Sequence, residues 1–415
     1  MEATAGKVKK PAKSKRKKTR LRSADFALVA LTCALVIFGV IMVFSASYYW
    51  SIDKVGNPYN FLIKDLFWAG TGFIIMIATT ILDYHVYKKW APWLMAGGIL
   101  LLVAVLFIGA TINNAQRWIM IGPITIMPGE ICKICVIIFT AWFLCRNPSR
   151  VNDFLHGILP LLCLAGICGL LIMRQPNMST AITVVGIIFA MMFVAGLHLR
   201  YVGALAIAGV AGILALIIKG GGYRMQRLVS FLDPFADPLG DGYQVCQGLL
   251  ALGSGGLRGL GLGKSIQKNL YLPEPQNDFI LAIIGEELGY IGVLVLMLVY
   301  LILIYRGIRV VLQAPDRFGM LLGSGIVMMI GIQVLLNVAV VTSSMPPTGI
   351  TLPFVSYGGN ALWLFMGSMG ILLNISRQIP KEEPNRTSSA GPAPRRDPLI
   401  HQSAEERDLN KIRSW

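Results

Sequence analysis

Apolar runs of about 20 residues recur along this chain, and each is long enough to cross a membrane as a helix. Hydrophobic residues make up 55% of the 415 positions and charged residues only 14%, whereas a soluble domain carries about 25% charged residues. The pattern predicts an all-α polytopic membrane protein with about ten transmembrane helices. We expect these spans at 25–45, 61–82, 91–111, 129–145, 156–173, 178–197, 200–218, 279–304, 317–341 and 351–375.

The charges predict how the chain is oriented in the membrane. Residues 1–22 contain ten Lys and Arg residues and one Glu, and basic flanks stay cytoplasmic, against anionic lipid. No aromatic residue is interleaved with them to stack on bases, which argues against a nucleic-acid partner. With this end inside, the basic residues of alternate connections also fall inside: Lys88, Lys89, Arg146, Arg150, Arg200, Arg306, Arg309, Arg317, Arg377 and Lys381. We therefore expect both termini to be cytoplasmic.

Three regions follow from this organisation. Residues 1–22 are predicted to be a basic disordered tail, 23–377 the membrane domain, and 378–415 a second disordered cytoplasmic tail. Within the domain, residues 219–278 form one long extracytoplasmic loop between helices 7 and 8. Loops far longer than about 12–15 residues are usually functional or disordered, and the mixture of aromatic, apolar and basic residues here favours function. An amphipathic segment at 243–252 could lie on the membrane surface.

Acidic residues near the eighth span are the first candidates for chemistry. Asp278 lies where the long loop enters this span, and Glu286 and Glu287 lie within it. A charge at the centre of a membrane helix costs about 2.5–3.5 kcal/mol on insertion scales, so such acids normally face a partner or a wet cavity. Asp278 has two interpretations: a cap on the helix N-terminus, or a carboxylate at the outer surface that accepts a proton or binds a cation.

Basic residues supply the expected partners. Glu130 and Lys133 share one face of the fourth span, and an ion pair between Lys133 and Glu286 would account for both buried charges. A purely structural pair and a pair that lines a wet cavity would look the same in sequence. Basic side chains on the outer side could hold a pyrophosphate or simply be solvated: Arg117, Arg174, Lys264 and Lys268. The chain contains no P-loop, HExxH or GxSxG motif for soluble nucleotide or hydrolase chemistry.

Several stretches together resemble one family. They are "NNAQRWI", "PGEICK", "RQPNMST", "DPFADPLGDGYQVCQGLLALGSGGLRGLGLG", "YLPEPQNDF", "GEELGYIG" and "TGITLPFVSYGGN". In this order they are similar to the SEDS proteins of bacterial cell-wall synthesis, which include FtsW, RodA and SpoVE. The similarity runs from about residue 24 to 376 and covers nearly the whole membrane domain.

The resemblance implies a ten-helix glycosyltransferase of the bacterial cytoplasmic membrane. Such an enzyme polymerises lipid II into a growing glycan strand on the outer face and works with a class B penicillin-binding protein, the transpeptidase. The family's essential loop aspartate falls on Asp278, which we hypothesise to be the general base. Its acidic and basic pair falls on Glu130 and Lys133, which with Glu286 would set the electrostatics of a cavity. Basic residues, aided by a divalent cation such as Mg²⁺ or Mn²⁺, would stabilise the leaving pyrophosphate.

Two residues depart from the family pattern. Asn177 stands where "QPDLGT" has an aspartate, and Asn360 ends "SYGGN" where the family has "SYGGS". Two other functions fit the same features: a flippase for a lipid-linked precursor, since buried charges also suit transporters, and a non-catalytic scaffold that recruits the transpeptidase. The motifs are shared by division, elongation and sporulation proteins; our interpretation favours division or sporulation.

Overall fold

The computed structural model describes residues 23–112, 115–122, 124–204, 207, 209, 212, 231, 233–240 and 242–380. The described residues up to Ile379 belong to one compact unit. The predicted tail at 1–22 lies outside the described residues. So does the predicted tail at 378–415 from residue 381 onward. So do most of the predicted seventh span at 200–218 and the first part of the predicted loop, 219–230.

The described part of the chain is mainly helical. Its principal helices are α1 (Phe26–Val55), α2 (Asn60–Ile81), α3 (His85–Ile108), α4 (Pro128–Arg146), α5 (Leu159–Arg174), α6 (Met178–Val194), α7 (Tyr243–Ser254), α8 (Ile280–Leu312), α9 (Arg317–Val341) and α10 (Gly359–Gln378). A π-helical turn at Phe154–Ile158 precedes α5. Of these described helices, all but α6 and α7 are long and apolar enough to cross a membrane, α5 when it is taken together with the π-helical turn before it. The predicted all-α polytopic membrane fold is confirmed.

The predicted tenth span begins too early. Residues 351–358 form a turn, and α10 starts only at Gly359. Pro353 has no N–H to contribute to a helix, and the turn is held by other bonds: Leu352 N–H donates to Ser356 Oγ at 2.7 Å, and Tyr357 N–H donates to the Gln276 carbonyl at 2.9 Å. The second of these bonds ties the turn to the segment that carries Asp278.

A small antiparallel sheet joins α3 to α4, and its first strand takes the place of the end of the third span predicted at 91–111. Its strands are β1 (Ala110–Ile112), β2 (Ala115–Ile121) and β3 (Ile124–Ile126), in the order β1-β2-β3. β2 is rich in the β-branched and aromatic residues that favour strands, and Gly122, with φ +60°, follows it at the turn into β3. The sheet carries Arg117 and Trp118 to the mouth of a cavity described below.

Helix α8 is interrupted at Gly289, where φ is 70° and ψ is −173°. Residues 256–261 take up the backbone groups that the break leaves free. Tyr290 N–H donates to the Gly256 carbonyl at 2.9 Å, and Leu260 N–H donates to the Glu286 carbonyl at 2.9 Å. Irregular backbone at membrane depth is tolerated only where protein or a cavity covers it, and residues 280–287 are all buried. The span predicted as one helix at 279–304 is therefore two segments.

The core lies between α4, α9 and α10. In the most apolar stretch of each helix, 67% of α4 and α9 and 78% of α10 is buried within the protein, against 22% of α8 and 28% of α2 and α3. α9 packs against α4, α6, α8 and α10. Side chains at the ends of these central helices are consequently enclosed by protein, and these ends line the cavity described below.

Candidate active site

A cavity of about 630 Å³ opens among the first turns of α4, α6 and α10, the later half of α9, the small sheet and residues 273–278. Its charged lining side chains are Arg117, Glu130, Lys133, Glu274 and Asp278. Four of the eight predicted site residues thus meet in one place. The wall also carries aromatic and amide side chains: Trp68, Trp118, Gln244, Asn277, Gln333, Tyr357 and Asn360.

Asp278 is half-buried at the cavity wall, two residues before α8 begins at Ile280. The N-cap position of this helix is Phe279, which makes no side-chain cap bond, so Asp278 is not the N-cap residue that the structural interpretation had predicted. Phe279 is fully buried, and its ring lies so close to Gly248 of α7 that a Cβ there would come within 2.8 Å. This packing fixes the backbone that carries Asp278.

The carboxylate of Asp278 faces the connection between α9 and α10. A Cβ placed on Gly349 would lie 3.7 Å from Asp278 Oδ2, and Gly349 has a φ of +72°, which glycine adopts readily. The glycine therefore allows the chain to turn beside the carboxylate. Ser179 of α6 holds the same connection, because its hydroxyl donates to the Thr348 carbonyl at 2.5 Å.

Glu130 and Lys133 form a buried ion pair in the first turns of α4. Lys133 Nζ lies 2.7 Å from Glu130 Oε2 and donates to Gln333 Oε1 at 3.0 Å, and the lysine side chain is 1% exposed. It also lies 5.8 Å from the centre of the Phe365 ring. Each member of a buried pair compensates the charge of the other, and removing one would leave an uncompensated charge. The pair therefore holds one positive and one negative group at one wall of the cavity.

Arg117 reaches across from β2 to the connection between α5 and α6. Its Nε donates to the Gln175 carbonyl at 3.1 Å, and its guanidinium also donates to the Pro176 carbonyl. The same side chain lines the cavity. Arg117 thus presents a permanent positive charge there from a braced position.

The other four predicted site residues do not line the cavity. Arg174 and Lys264 are exposed elsewhere on the surface. The predicted pairing of Glu286 with Lys133 is wrong: Glu286 accepts hydrogen bonds from the Ser265 hydroxyl and, at 2.9 Å, from Ile266 N–H. The roles of Arg174, Lys264, Lys268 and Glu286 in substrate binding remain predictions from sequence, and none of these four residues lines this cavity.

Lys268 pairs instead with Glu287, and both are buried. Lys268 Nζ lies 2.8 Å from Glu287 Oε1, and the Ser45 hydroxyl of α1 donates to the same carboxylate at 2.7 Å. Together with Glu286 and Ser265 these residues form what we call the glutamate clamp (Ser45, Ser265, Lys268, Glu286 and Glu287). The clamp joins α1, α8 and the loop that leads to Asp278.

The two departures from the family pattern have structural roles. Asn177 Oδ1 caps α6, accepting from Thr180 N–H at 3.3 Å, a task that either asparagine or aspartate performs. Asn360 Nδ2 donates to the Thr125 carbonyl of β3 at 2.8 Å. Asn360 therefore ties α10 to the sheet across the cavity.

Sequence reasoning missed several lining residues. Gln333 and Tyr357 lie far from Asp278 in sequence, and their residue types alone carry no signal of a site. Glu274 is a further lining acid that the sequence analysis does not assign to the site; its carboxylate accepts from Asn277 Nδ2 at 2.8 Å. Burial, and beyond it the nearby Asp65 carboxylate, raises the pKa of Tyr357 to about 12, so this phenol stays protonated and can donate a hydrogen bond.

The described residues contain no group of three or more His, Cys, Asp or Glu side chains that could hold a metal ion. Mg²⁺, however, is commonly bound by one or two carboxylates together with substrate phosphates and waters. Asp278 and Glu274 are the carboxylates of the cavity, apart from the paired Glu130, that could serve in this way. The predicted divalent cation remains a prediction.

Comparison with known proteins now decides the family. The FtsW/RodA/SpoVE family, described as cell cycle protein, matches residues 26–381. Stage V sporulation protein E of Bacillus subtilis (strain 168) is 42% identical over 361 residues, which cover 86% of this chain and 98% of that protein. The chain belongs to the FtsW/RodA/SpoVE family. The resemblance drawn from the motifs is confirmed.

Further relatives and solved structures are similar in sequence and in fold. The probable peptidoglycan glycosyltransferase FtsW of Geobacter sp. (strain M18) is 39% identical over 362 residues, 87% of this chain and 98% of that protein. RodA of Thermus thermophilus has a TM-score of 0.64 at 27% identity, covering 86% of this chain and 98% of that one. A chain solved in work on the coordination of polymerization and crosslinking by a peptidoglycan synthase complex has a TM-score of 0.72 at 26% identity, with coverages of 86% and 99%.

Proposed function

We propose that this protein is a peptidoglycan glycosyltransferase that polymerises lipid II into glycan strands at the outer face of the cytoplasmic membrane. The observation that carries the proposal is the meeting of Asp278 with Arg117 and Lys133 in one cavity, in a member of a family whose relatives are named for this activity. The relatives named FtsW and SpoVE, at 39% and 42% identity, favour a role in division or sporulation.

Asp278 acts as the general base in the proposed reaction. A sugar hydroxyl of one substrate attacks the anomeric carbon of the other, a new carbon–oxygen bond forms, and the bond from that carbon to the pyrophosphate oxygen breaks. The hydroxyl proton passes to the Asp278 carboxylate, and the polyprenyl pyrophosphate leaves with the bonding electron pair. General base catalysis of this kind is typically worth about 10²–10⁴-fold in rate.

The cations of the cavity stabilise the charge that develops on the leaving group. Arg117 and Lys133 are held in place before substrate arrives, by the backbone carbonyl of Gln175 and by Glu130 respectively. Donors that need no rearrangement during reaction are the efficient ones. The protonated Tyr357 phenol and the amides of Gln244 and Asn277 offer hydrogen bonds to sugar and acetamido groups.

The membrane orientation and the partner complete the proposal. Both termini are cytoplasmic, which follows from the basic residues of alternate connections, and the cavity then faces outward with Asp278. A class B penicillin-binding protein is the proposed partner, by analogy with the structural neighbour from a synthase complex that couples polymerization to crosslinking.

The test is lipid II polymerisation by the purified full-length chain with its transpeptidase partner, whose crosslinking is blocked by penicillin. Glycan strands detected by gel electrophoresis are the expected result. Two further readouts separate the competing functions: movement of fluorescent lipid II across the bilayer of proteoliposomes, and binding of the transpeptidase. Lipid II movement without strands would replace the proposal with a flippase. Partner binding without either would replace it with a scaffold.

A further inference from the structure

Asn337 lies in α9 beside the cavity and is fully buried. Its Nδ2 donates two hydrogen bonds, one to the Asp278 carbonyl at 2.8 Å and one to the Ile350 carbonyl at 2.7 Å. A side-chain amide has two N–H donors, so both are used. Its Oδ1 has no hydrogen-bond partner among the described residues. A flipped amide would aim this oxygen at two carbonyl oxygens, so the hydrogen bonds fix its orientation.

The two carbonyls belong to residues that lie outside the helices, so neither accepts a hydrogen bond within a helix. Asp278 precedes the first residue of α8, and Ile350 lies in the connection between α9 and α10. Both segments line the cavity, and they face each other through Gly349 and the Asp278 carboxylate. The Asn337 amide therefore joins the two walls at the residue that carries the carboxylate.

We infer that Asn337 is a positioning residue that holds the Asp278 carboxylate in its working place against the 348–351 wall. The inference rests on the proposed function of Asp278. A catalytic group must be held to within about 0.5 Å and 10–20° of its productive geometry, and misplacement by about 1 Å can cost about 10²-fold in rate. Without the bridge, the Tyr357 bond to the Gln276 carbonyl would still join the two segments, but the backbone of Asp278 itself would lose its tie to Ile350.

Asn374 provides a matched control for a role in structure alone. It is also a buried asparagine of a central helix, and it uses both ends of its amide: Oδ1 accepts from Tyr84 N–H at 3.0 Å, and Nδ2 donates to the Thr80 carbonyl at 2.8 Å. These contacts join α10 to the end of α2 and lie away from the cavity residues. A residue that only joins helices should behave as Asn374 does.

The experiment compares Asn337→Ala and Asn337→Ser with Asn374→Ala and Asn374→Ser in the purified full-length chain with its partner. Serine keeps one donor and is the milder change, so it decides the matter if the alanine variant does not fold. We measure kcat and KM for lipid II together with the thermal unfolding midpoint. The Asn337 variants are expected to lose at least about tenfold in kcat, more for alanine than for serine, with KM changed by less than about threefold.

A loss of kcat in the Asn374 variants as large as in the Asn337 variants at equal stability would overturn the inference. So would normal kcat in folded Asn337→Ser and Asn337→Ala. Asp278→Asn, measured in parallel, separates this failure from that of the proposed function. If Asp278→Asn is inactive while the Asn337 variants are normal, only the inference fails. If Asp278→Asn is fully active, the role of Asp278 as base fails and the inference with it. If the wild type makes no strands, the proposed function fails as well.

Discussion

At the scale of single residues, Asn177 shows why a departure from a family pattern need not change a site. Its Oδ1 caps α6, and its Nδ2 has no partner among the described residues. The Nδ2 also lies 3.8 Å from where a Cβ on Gly129 would stand, in the first turn of α4. Residue 177 thus lies between the positive N-terminal ends of two helices, where either an amide oxygen or a carboxylate is favourable.

We expect Asn177→Asp to fold and to keep lipid II polymerisation within about threefold of the wild type, because the cap is retained and helix ends favour an acid by about 0.3–1 kcal/mol. Asn177→Ala should lower the free energy of unfolding by about 1 kcal/mol. Thermal unfolding in detergent and the polymerisation rate measure the two effects. An inactive but folded aspartate variant would show that the amide itself has a function.

The sequence predicted residue identities at the site better than residue contacts. Asp278, Glu130, Lys133 and Arg117 were identified, the first three through the family motifs, and they do line one cavity. Glu286, a buried acid, and Lys268, a basic loop residue, were equally plausible as cavity residues, yet both belong to the glutamate clamp. Residue type and spacing along one helix cannot say which distant segment a buried acid will meet.

At the scale of elements, the break in α8 and the glutamate clamp act together. The backbone groups at the break form hydrogen bonds with residues 256–261. A few residues later, the glutamate clamp holds residues 265–268. The loop then continues directly to Asp278. Residues 285, 289 and 292 are glycines, which allow a neighbouring segment to pack closely. The sequence nevertheless predicted an unbroken span, because the bonding partners lie some thirty residues away.

The clamp predicts a large cost for an unpaired buried charge. Lys268→Met leaves Glu287 buried at 0% exposure without its cation, and breaking such a pair costs about 3–5 kcal/mol of unfolding free energy. Combining it with Glu287→Gln removes the stranded charge and should restore most of this loss. Denaturant or thermal unfolding of the purified protein measures both variants.

Lys54→Met is the control for this prediction. Lys54 pairs with Asp53 at 3.3 Å, but both side chains are about half exposed, and exposed pairs contribute about 0–1 kcal/mol. A Lys268→Met variant no less stable than Lys54→Met would contradict the assignment of the clamp as a stabilising element.

At the scale of the whole molecule, the membrane fold followed from composition, and the family followed from ordered motifs. What the sequence left open is the assembly of the cavity. Its wall draws on β2, the starts of α4, α6 and α10, the end of α9 and the segment before α8. These parts are brought together by packing between helices distant in sequence and by bonds such as Asn360 to β3, which no local pattern records.

In the proposed reaction, Asp278 acts on substrate already bound in this cavity. The most direct measurement is single-turnover polymerisation together with equilibrium binding of lipid II, for the wild type, Asp278→Asn and the surface control Asp53→Asn, each with the transpeptidase partner. Asp278→Asn should bind lipid II within about threefold of the wild type and lose about 10²–10⁴-fold in rate, while Asp53→Asn changes neither. Equal rates for Asp278→Asn and the wild type would contradict the claim, as would a variant whose lost rate is fully explained by lost binding.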